Sequence, residues 1–316
     1  MKTPASVPHP VGVIGLGQMG RPMAVNLARK GFATFAYDVN ATAMVALVDH
    51  GVVARGSARD VVAQAEIVVL SLPTQEVLEE LVLGPGGFVE ADVAGKIIID
   101  TTTTTPELAK RLAAALASRG CAFLDSPVTG GAAGAQAATL SIMIGGDADA
   151  VAAARPVYEA LGTNIVHIGS SGHGQIAKMV NQMLMAAIYT SVAESFAFAA
   201  QQGADVAKIF QAVENGGGRS KVLSDIKPYL LGGTPRTNGN LAQHGKDIDY
   251  VMQQANAQKI FLPIAAAVHE FYNLSRTLGF GQNSSHDMWA VWEKLLGIDF
   301  TATIRSEPKP TTSTGA

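Results

Sequence analysis

The feature that most constrains the fold is a glycine-rich turn near the start of the chain. Gly15, Gly17 and Gly20 form G-x-G-x-x-G directly after the apolar run VGVI and at the start of the helical stretch Met19–Arg29. The pattern is weak alone, but between a strand and a helix it predicts a dinucleotide site. There the glycines allow a tight turn, close approach of a pyrophosphate and close packing of helix on strand. The pyrophosphate is expected at the helix N-terminus, where backbone N–H groups are free.

An acidic residue completes this predicted site. Asp38 ends the next apolar run, TFAYD, about 20 residues after the glycine turn. A carboxylate at this point accepts hydrogen bonds from both ribose hydroxyls and repels a 2′-phosphate, so the sequence predicts NAD rather than NADP. Leu16, Gln18 and Met19, the remaining residues of the turn, belong to the same predicted cofactor site. The alternative is a glycine-rich turn beside an ordinary surface aspartate.

Two later strand ends are also predicted to contribute to the cofactor site. Ligands bind outside the carboxyl ends of parallel strands, and Leu72 and Pro73 follow one such strand. Thr103 lies in the threonine run Thr101–Thr105 after another. Threonines before a helix-opening proline, here Pro106, are also common helix N-caps. For any one threonine of the run, capping and ligand binding therefore both remain open.

The first half of the chain alternates between short apolar runs and helical stretches. Continuous apolar strands separated by helices are typical of a parallel sheet covered on both faces. The predicted strands are Val11–Leu16, Thr34–Tyr37, Ile67–Leu72, Lys96–Ile99, Ala122–Leu124, Leu140–Ile144 and Ile165–Ile168. The second half has helical patterns without a convincing strand. The sequence therefore predicts an α/β Rossmann-type N-terminal domain with a parallel-sheet core, followed by an all-α C-terminal domain.

The domain boundary is predicted in the polar stretch GSSGHG, at residues 169–174. The dinucleotide-binding domain is expected over residues 11–171, and a helical domain for substrate binding and oligomerisation over residues 172–302. Residues 1–10 are rich in proline, and residues 303–316 are largely polar with proline and threonine. Both ends are predicted to be disordered.

Composition excludes several classes of function. With 23 Lys+Arg against 26 Asp+Glu, the net charge of −3 provides no basic field for nucleic acid or an anionic membrane surface. No uninterrupted apolar run approaches the roughly 18 residues of a membrane span. The single cysteine excludes a disulfide framework and a cysteine zinc site, and the seven histidines show no metal-binding spacing, so no metal is expected. A cytoplasmic location is consistent with this cysteine usage.

A second group of residues is predicted to hold a substrate. The strand Ala122–Leu124 leads into Thr129, Gly130 and Gly131. A hydroxyl group, together with backbone N–H groups that have no side chains beside them, can hold a carboxylate in a nest of donors. The alternative is an ordinary loop whose glycines supply positive φ angles.

Lys178 is the candidate for acid–base chemistry. It lies in the second turn of a predicted helix, where a cation gains nothing from the helix dipole. Asn181 and Gln182, three and four residues later, share its helix face. The residues around Lys178 in the sequence are apolar. A lysine in such a run either snorkels to solvent or is a functional group beside a cleft, and the residues alone leave both open.

Four motifs in this order resemble the β-hydroxyacid dehydrogenase family. They are GLGQMGRPMAVNL, DSPVTGG, the G-x-G-x-x-x-K-x-x-N-Q segment at Gly172–Gln182 and the later pair Lys246-Asp247. Together they extend over roughly residues 11–300. The resemblance implies a Rossmann-type domain, an all-helical second domain and a catalytic lysine at Lys178. The family also includes, more distantly, 6-phosphogluconate dehydrogenase.

The same resemblance implies roles for other residues. Thr129, Gly130 and Gly131 would bind the substrate carboxylate. Asn181 would orient the substrate or the lysine, and Lys246 would reach the cofactor–substrate region from the second domain. The resemblance also implies a homodimer or a homotetramer.

Two departures from the family pattern concern the substrate. Many hydroxyisobutyrate-type members carry Asn-Asn where this chain has Asn181-Gln182, and the Asn-Gln pair is more similar to the tartronate semialdehyde reductase branch. Thr129 stands where serine is commoner, which keeps the hydroxyl group and adds a methyl group. Gln182 is therefore included among the predicted substrate-binding residues.

We therefore expect an NAD-dependent oxidoreductase that interconverts a small β-hydroxy acid and its semialdehyde. Tartronate semialdehyde (2-hydroxy-3-oxopropionate) and 3-hydroxyisobutyrate are the expected substrates. The alternatives are another short hydroxy acid, an imine reductase on the same architecture and a non-catalytic NAD-binding protein. Lys178 argues against the last two, since the imine reductases usually lack this lysine and a non-catalytic protein has no need of it.

Overall fold

The computed structural model describes residues 9–230 and 239–298. The predicted disorder of residues 1–8 and of the tail 303–316 concerns residues outside these ranges. Pro10 is part of the fold, because its carbonyl oxygen accepts a hydrogen bond from the backbone N–H of Glu66 at 2.9 Å. The folded chain therefore begins slightly before residue 11, where the sequence predicts its start.

The chain forms two compact units, Met1–Val180 and Asn181–Ala316. The division falls inside a helix of 29 residues, His173–Gln201. The boundary predicted from the sequence lies instead at the start of this helix. The first turns of the helix, with Lys178, therefore belong to the first unit, whereas Asn181 and Gln182 belong to the second.

The first unit alternates strands and helices, which confirms the predicted pattern. Its strands are β1 (Val11–Ile14), β2 (Thr34–Tyr37), β3 (Val52–Ala54), β4 (Ile67–Leu70), β5 (Ile97–Asp100), β6 (Ala122–Asp125), β7 (Val128–Thr129), β8 (Leu140–Gly145) and β9 (Gly162–Gly169). Its helices are α1 (Gly20–Arg29), α2 (Ala41–Val45), α3 (Ala58–Gln64), α4 (Gln75–Leu83), α5 (Pro106–Ala117), α6 (Gly131–Ala137), α7 (Ala148–Ala153) and α8 (Arg155–Leu161).

The strands form one sheet in the order β3-β2-β1-β4-β5-β6-β8-β7, with β9 paired to β8. From β3 to β6 each neighbouring pair is parallel. β8 runs antiparallel to β6 and β7, and β9 runs parallel to β8. The sheet is mainly parallel, as predicted, and its direction reverses at β8. The carboxyl ends of β1, β2, β4, β5 and β6 therefore share one edge, where ligands bind in folds of this kind.

Apolar side chains cover both faces of this sheet. Along β4, Ile67 and Val69 pack into one apolar cluster and Val68 and Leu70 into another, because successive side chains of a strand point to opposite faces. Each such side chain contributes about 1.5–3 kcal/mol relative to an exposed one. Because these strands are buried on both faces, nearly all of their residues are apolar, and their sequences are continuous apolar runs.

The described residues of the second unit, 181–230 and 239–298, form no β-strand, and one isolated bridge joins Asn240 to Ser284. The helices that contribute to this unit are α9 (His173–Gln201), α10 (Val206–Val213), α11 (Lys221–Leu230), α12 (Leu241–Gln258), α13 (Pro263–Thr277) and α14 (Met288–Leu296). Phe196, Phe210 and Tyr272 are among the large side chains of their shared apolar core. The predicted helical second half is confirmed.

By length and composition, α9 is the one helix among the described residues that is able to cross a membrane. One such helix is weak evidence for a membrane span, because a core helix of a soluble protein passes the same test. The polar residues Asn181, Gln182 and Glu194 interrupt its apolar sequence.

Candidate active site

The glycine-rich turn joins β1 to α1 and lies against the chain that leaves β4. Gly15 has a φ of +89°, and a Cβ there would lie 2.2 Å from the carbonyl oxygen of Ser71. A Cβ at Gly20 would lie 1.8 Å from the carbonyl oxygen of Gly15. A Cβ at Gly17 would meet no described protein atom within 4 Å, so the fold itself does not require a glycine at this position. Its open backbone suits the close approach of a dinucleotide pyrophosphate.

The start of α1 is suited to the same ligand. Its N-cap residue, Met19, makes no side-chain capping bond to any described residue, and the first turn contains no acidic residue. The free N–H groups and the positive end of the helix dipole are therefore available to an anion. This arrangement fits a pyrophosphate at the turn.

Asp38 is bonded directly to the glycine-rich turn. One carboxylate oxygen accepts the backbone N–H of Leu16 at 2.6 Å, and the other accepts the N–H of Asn40 at 2.7 Å. The parallel pairing of β1 with β2 brings these residues together. Each carboxylate oxygen has a second acceptor position. Asp38 is thus oriented beside the turn and keeps acceptor capacity for ribose hydroxyls.

The five threonines after β5 divide into different roles. Thr103 is half-buried, whereas the other four are buried. Thr102 accepts the backbone N–H of Leu72 at 3.1 Å, which joins the chain after β4 to the chain after β5. Thr105 caps α5 by accepting the N–H of Leu108 at 3.3 Å. The capping role therefore belongs to Thr105, and Thr103 is the threonine accessible to a cofactor.

The turn from Thr129 to Gly131 leads from β7 into α6. Gly130 has a φ of +127° and Gly131 a φ of +62°. Residues with side chains rarely adopt such angles, so the backbone alone accounts for both glycines. Thr129 is half-buried at the end of β7. The contacts of Thr129, Gly130 and Gly131 with a carboxylate remain predictions.

Lys178 is buried and points inward. It is 8% exposed, and its Nζ donates a hydrogen bond to the carbonyl oxygen of Val128 at 2.9 Å. Val128 directly precedes Thr129, so the ammonium lies beside the predicted carboxylate loop. The apolar neighbours Ile176 and Val180 are 43% and 52% exposed. A snorkelling lysine shows the reverse arrangement, with its charge in water.

Two buried carboxyl groups end neighbouring strands of the sheet. Asp100 on β5 pairs in register with Asp125 on β6. Burial raises the pKa of Asp100 from 3.8 to about 7, against the effect of hydrogen bonds from Thr102. Burial also raises the pKa of Asp125, although the N–H groups of Gly172 and Gln175 act to lower it. The burial of these two carboxyl groups is not indicated by any pattern in the sequence.

In the second unit, Asn181 and Gln182 form a polar chain with Asp247. Asn181 donates from Nδ2 to Oε1 of Gln182 at 2.9 Å, and Gln182 donates from Nε2 to Oδ2 of Asp247 at 2.5 Å. Gln182 is buried, and both the oxygen and the nitrogen of its amide are hydrogen-bonded to protein groups. The structure supports a role for Gln182 in orienting Asn181, and its predicted contact with substrate stays a prediction.

Lys246 is next to this polar chain in the sequence. Its Nζ lies 3.5 Å from Oδ1 of Asp247 and 5.4 Å from the ring centroid of Tyr250. The side chain is one quarter exposed. An ion pair and a cation–π contact thus restrain the lysine predicted to reach the cofactor.

The first unit gathers most of the predicted site residues after the carboxyl ends of adjacent parallel strands. The predicted cofactor residues in this unit are Gly15, Leu16, Gly17, Gln18, Met19, Gly20, Asp38, Leu72, Pro73 and Thr103. Thr129 ends β7, beyond β6 along the chain, and Gly130 and Gly131 follow it. Across residues 9–230 and 239–298, no group of three or more His, Cys, Asp or Glu side chains is placed to hold a metal ion.

The chain matches two family models. Residues 10–169 match the NAD binding domain of 6-phosphogluconate dehydrogenase. Residues 172–292 match the model described as NAD-binding of NADP-dependent 3-hydroxyisobutyrate dehydrogenase. Together the two models cover most of the described chain.

Individual relatives agree with these models. The chain is 35% identical over 272 residues to 3-hydroxyisobutyrate dehydrogenase of Pseudomonas aeruginosa, covering 84% of this chain and 91% of the relative. It is also 35% identical over 272 residues to 2-hydroxy-3-oxopropionate reductase of Escherichia coli, covering 86% and 93%. The solved structure of Mycobacterium tuberculosis 3-hydroxyisobutyrate dehydrogenase with L-serine superposes with a TM-score of 0.81 and 29% identity, covering 91% and 99%.

The family models, the relatives and the structural match all point to the same family. Relatives of this kind are dehydrogenases and reductases. The chain belongs to the β-hydroxyacid dehydrogenase family and is an NAD(P)-dependent oxidoreductase acting on the CH–OH group of hydroxy acids.

Proposed function

We propose that the protein is an NAD-dependent dehydrogenase that interconverts a small β-hydroxy acid and its semialdehyde. The proposed substrates are 2-hydroxy-3-oxopropionate and 3-hydroxyisobutyrate, which occur in the names of two relatives of equal identity. The observation that carries the proposal is the buried ammonium of Lys178, bonded to the carbonyl oxygen of Val128 beside Thr129. A cation in this place is suited to a substrate with a carboxylate and a reacting oxygen close together.

Lys178 is proposed to move the proton of the reaction. When bound, the nicotinamide supplies or accepts the hydride at the carbon that bears the oxygen. In reduction, the ammonium of Lys178 donates a proton to the aldehyde oxygen as that oxygen gains negative charge. In oxidation, the neutral amine accepts the hydroxyl proton. The acid role uses the protonated form that lysine has in water at neutral pH, whereas the base role needs the amine to lose its proton first. We therefore propose reduction as the physiological direction.

The substrate carboxylate is proposed to bind at Thr129, Gly130 and Gly131. Asn181 is proposed as a further donor that would exchange its hydrogen bond to the sulfur of Met185 for one to the carboxylate. Thr129 offers a hydroxyl, and the glycines offer backbone N–H groups without side chains. Gln182 is proposed to hold the Asn181 amide in place through the bond between them. The polar chain from Asp247 supports this assignment, because a donor fixed in advance loses less entropy when substrate binds.

The proposed cofactor is NAD. The carboxylate of Asp38 is held beside the turn by two backbone N–H groups. It is therefore fixed where the ribose is expected and would repel a 2′-phosphate by like charge. Lys246 is proposed to contact the cofactor or substrate as well.

The protein is proposed to be a cytoplasmic homodimer or homotetramer. Ile176, Val180 and Leu184 are exposed and recur at every fourth position of α9. Such spacing places them along one side of a helix, and an exposed apolar stripe is typical of a subunit interface. Light scattering of the purified protein measures the oligomeric state, and a monomer at micromolar concentration would contradict this part of the proposal.

The proposed activity is tested with a panel of short β-hydroxy acids and semialdehydes, followed by NADH absorbance. We expect turnover with 2-hydroxy-3-oxopropionate or 3-hydroxyisobutyrate, and much less with analogues that lack the carboxylate. Cyclic imines serve as the comparison class, since other enzymes of similar architecture reduce them. Turnover of imines without turnover of any hydroxy acid or semialdehyde would contradict the proposed function.

A further inference from the structure

Gln175 lies in the first turn of α9, three residues before Lys178, and its side chain is fully buried. The amide makes two hydrogen bonds to one loop of the first unit. Nε2 donates to the carbonyl oxygen of Thr102 at 2.8 Å, and Oε1 accepts the backbone N–H of Thr104 at 3.0 Å. These two groups flank Thr103. The side chain of Gln175 thus clamps both sides of the residue predicted to contact the cofactor.

The side chain of Gln175 binds the loop after β5, and its backbone is held by the end of the neighbouring strand, β6. Asp125, the last residue of β6, accepts the N–H of Gly172 at 2.7 Å with one oxygen and the N–H of Gln175 at 3.0 Å with the other. A Cβ at Gly174 would lie 2.4 Å from the carbonyl oxygen of Asp125, so this close approach depends on glycine. The start of α9 is thereby fixed to β6, and the chain beyond β6 carries Thr129.

We propose that Gln175 is a positioning residue that locks the loop of Thr103 to the helix of Lys178. The cofactor-binding loop and the proton-transferring helix then keep one fixed spacing. This inference rests on the proposed function. It identifies Gln175 as the link between two groups that the reaction must hold together, because small displacements of reacting groups lower the rate steeply.

The chemistry of the amide makes the proposal specific. An amide both donates and accepts from one planar group, as the carbonyl of Thr102 and the N–H of Thr104 require. Methionine has a similar length and volume but forms neither bond, and an ionised glutamate accepts but does not donate. If Gln175 had only a packing role, its position would tolerate methionine, since a substitution that conserves volume is tolerated best in a core.

The test is a double-mutant cycle with three readouts. The NADH dissociation constant from nicotinamide fluorescence, kcat and Tm are measured for the wild type, Gln175→Met, Gln175→Glu, Thr103→Ala and the double variant Gln175→Met/Thr103→Ala. Gln175→Met should raise the dissociation constant and lower kcat, each about tenfold, because two buried peptide groups lose their partner. Burial favours the protonated form of a glutamate at this position, which can both donate and accept, so Gln175→Glu should lie between the wild type and Gln175→Met.

The cycle separates an action through Thr103 from a general loss of stability. In the Thr103→Ala background, Gln175→Met should change NADH affinity by less than about twofold, since the residue it positions is gone. The control is Ser57→Ala, which removes the cap that the Ser57 hydroxyl provides to the N–H of Asp60 in α3. Ser57→Ala should lower Tm and leave NADH affinity and kcat within about twofold of the wild type.

Two results would overturn the inference. One is strict additivity of the effects of Gln175→Met and Thr103→Ala on NADH affinity. The other is kinetics of Gln175→Met equal to those of Ser57→Ala at a similar loss of Tm. If Gln175→Met does not fold, Gln175→Glu takes its place in the same cycle. Failure of the proposed function is a different result, in which the wild type binds NADH but turns over no hydroxy acid or semialdehyde; the NADH-affinity cycle still decides the role of Gln175.

Discussion

Gln182 donates its amide hydrogen to Asp247 at 2.5 Å, across 65 positions of sequence. The same amide accepts a hydrogen bond from Asn181 at 2.9 Å. Asn181 also donates to the sulfur of Met185 at 3.3 Å. The amide plane of Asn181, a predicted substrate contact, is therefore set by residues that the substrate need not touch.

From these hydrogen bonds we expect Gln182 to affect substrate binding through Asn181. Gln182→Met should raise the substrate KM by about five- to tenfold, equivalent to roughly 1–1.4 kcal/mol, and leave NADH affinity unchanged. Asp247→Asn keeps an oxygen acceptor for Gln182 and should have a smaller effect. The control is Asp249→Asn. Asp249 lies in the same helix as Asp247, α12, but outside the polar chain, and the substitution weakens its ion pair with Arg276 of α13. Steady-state kinetics with substrate and NADH varied separately provide the measurement.

An unchanged KM together with an unchanged kcat in Gln182→Met would leave Gln182 a structural residue only. A change of equal size in Asp249→Asn would mean that the effect comes from loss of stability. A large fall in kcat with unchanged KM would assign Gln182 directly to the reacting atoms.

The buried carboxyl group of Asp100 should make a contribution to the free energy of unfolding that falls as the pH rises. Burial raises its pKa from 3.8 to about 7, and Oδ2 has no hydrogen-bond partner among the described residues. A pKa raised on folding means that the folded state binds the proton more tightly than the unfolded chain. This contribution is complete below about pH 4 and is lost as the pH rises through about 7.

The variant Asp100→Asn tests whether the contribution of Asp100 to stability falls as the pH rises. The asparagine oxygen can still accept the N–H of Thr102, as Oδ1 of Asp100 does at 3.0 Å, and the variant has no proton to lose. Between about pH 5 and pH 8, the Tm of the wild type should fall relative to that of Asp100→Asn. Calorimetry of both proteins in the same buffers gives the difference. A parallel pH dependence of the two Tm values would show that Asp100 does not titrate in this range.

The sequence predicts the strand-and-helix core well, for a physical reason. Strands such as β4 are buried on both faces and are therefore continuous apolar runs, visible without any knowledge of their partners. β3 (Val52–Ala54) was missed because it is short and two of its three residues are exposed. The reversal at β8 was also missed, because the direction of a strand depends on its pairing and not on its own residues.

In the candidate site, too, residues with a local sequence pattern were predicted, and residues that depend on distant partners were not. Gly15, Gly20 and Asp38 were predicted because a local pattern of turn and strand end indicates their place. Gln175 was missed because its partners, Thr102 and Thr104, lie more than 70 positions away in the sequence. Contacts of this range leave no periodic or local signal. The same limit explains why the hydrogen bond between Gln182 and Asp247 was not predicted.

Asp38 predicts a preference for NAD. Its carboxylate is fixed by the N–H groups of Leu16 and Asn40, so it cannot easily turn away from a 2′-phosphate. The kcat/KM of the wild type should be at least about tenfold higher with NADH than with NADPH, which is the ratio for about 1.4 kcal/mol. Asp38→Asn removes the charge, keeps one acceptor oxygen and should narrow this ratio. Equal or better kcat/KM with NADPH in the wild type would contradict the assignment.

Lys178 predicts the largest kinetic effect. Its Nζ is bonded to the carbonyl of Val128 and is buried, so the position is not that of a solvated surface lysine. Proton transfer by a positioned group accelerates a reaction by roughly 10²–10⁴. Lys178→Ala should lower kcat by about this factor and leave the NADH dissociation constant nearly unchanged, because the predicted dinucleotide contacts lie mainly at the glycine-rich turn. Lys178→Arg keeps the charge but has a higher pKa and a forked shape, so it should not restore kcat.

Tm, kcat and the NADH dissociation constant, measured on the same two variants, separate catalysis from stability. Truncating a buried lysine costs stability in either case, so a lower Tm in Lys178→Ala is not informative alone. The matched control is Lys96→Ala, because the Nζ of Lys96 also donates to a backbone carbonyl, that of Ala65, at 2.8 Å. Lys96→Ala should lower Tm without a comparable loss of kcat, since Lys96 directly precedes β5 and the site lies after the other end of that strand. Wild-type kcat in Lys178→Ala, or an equal loss of kcat in Lys96→Ala, would exclude Lys178 as the proton donor.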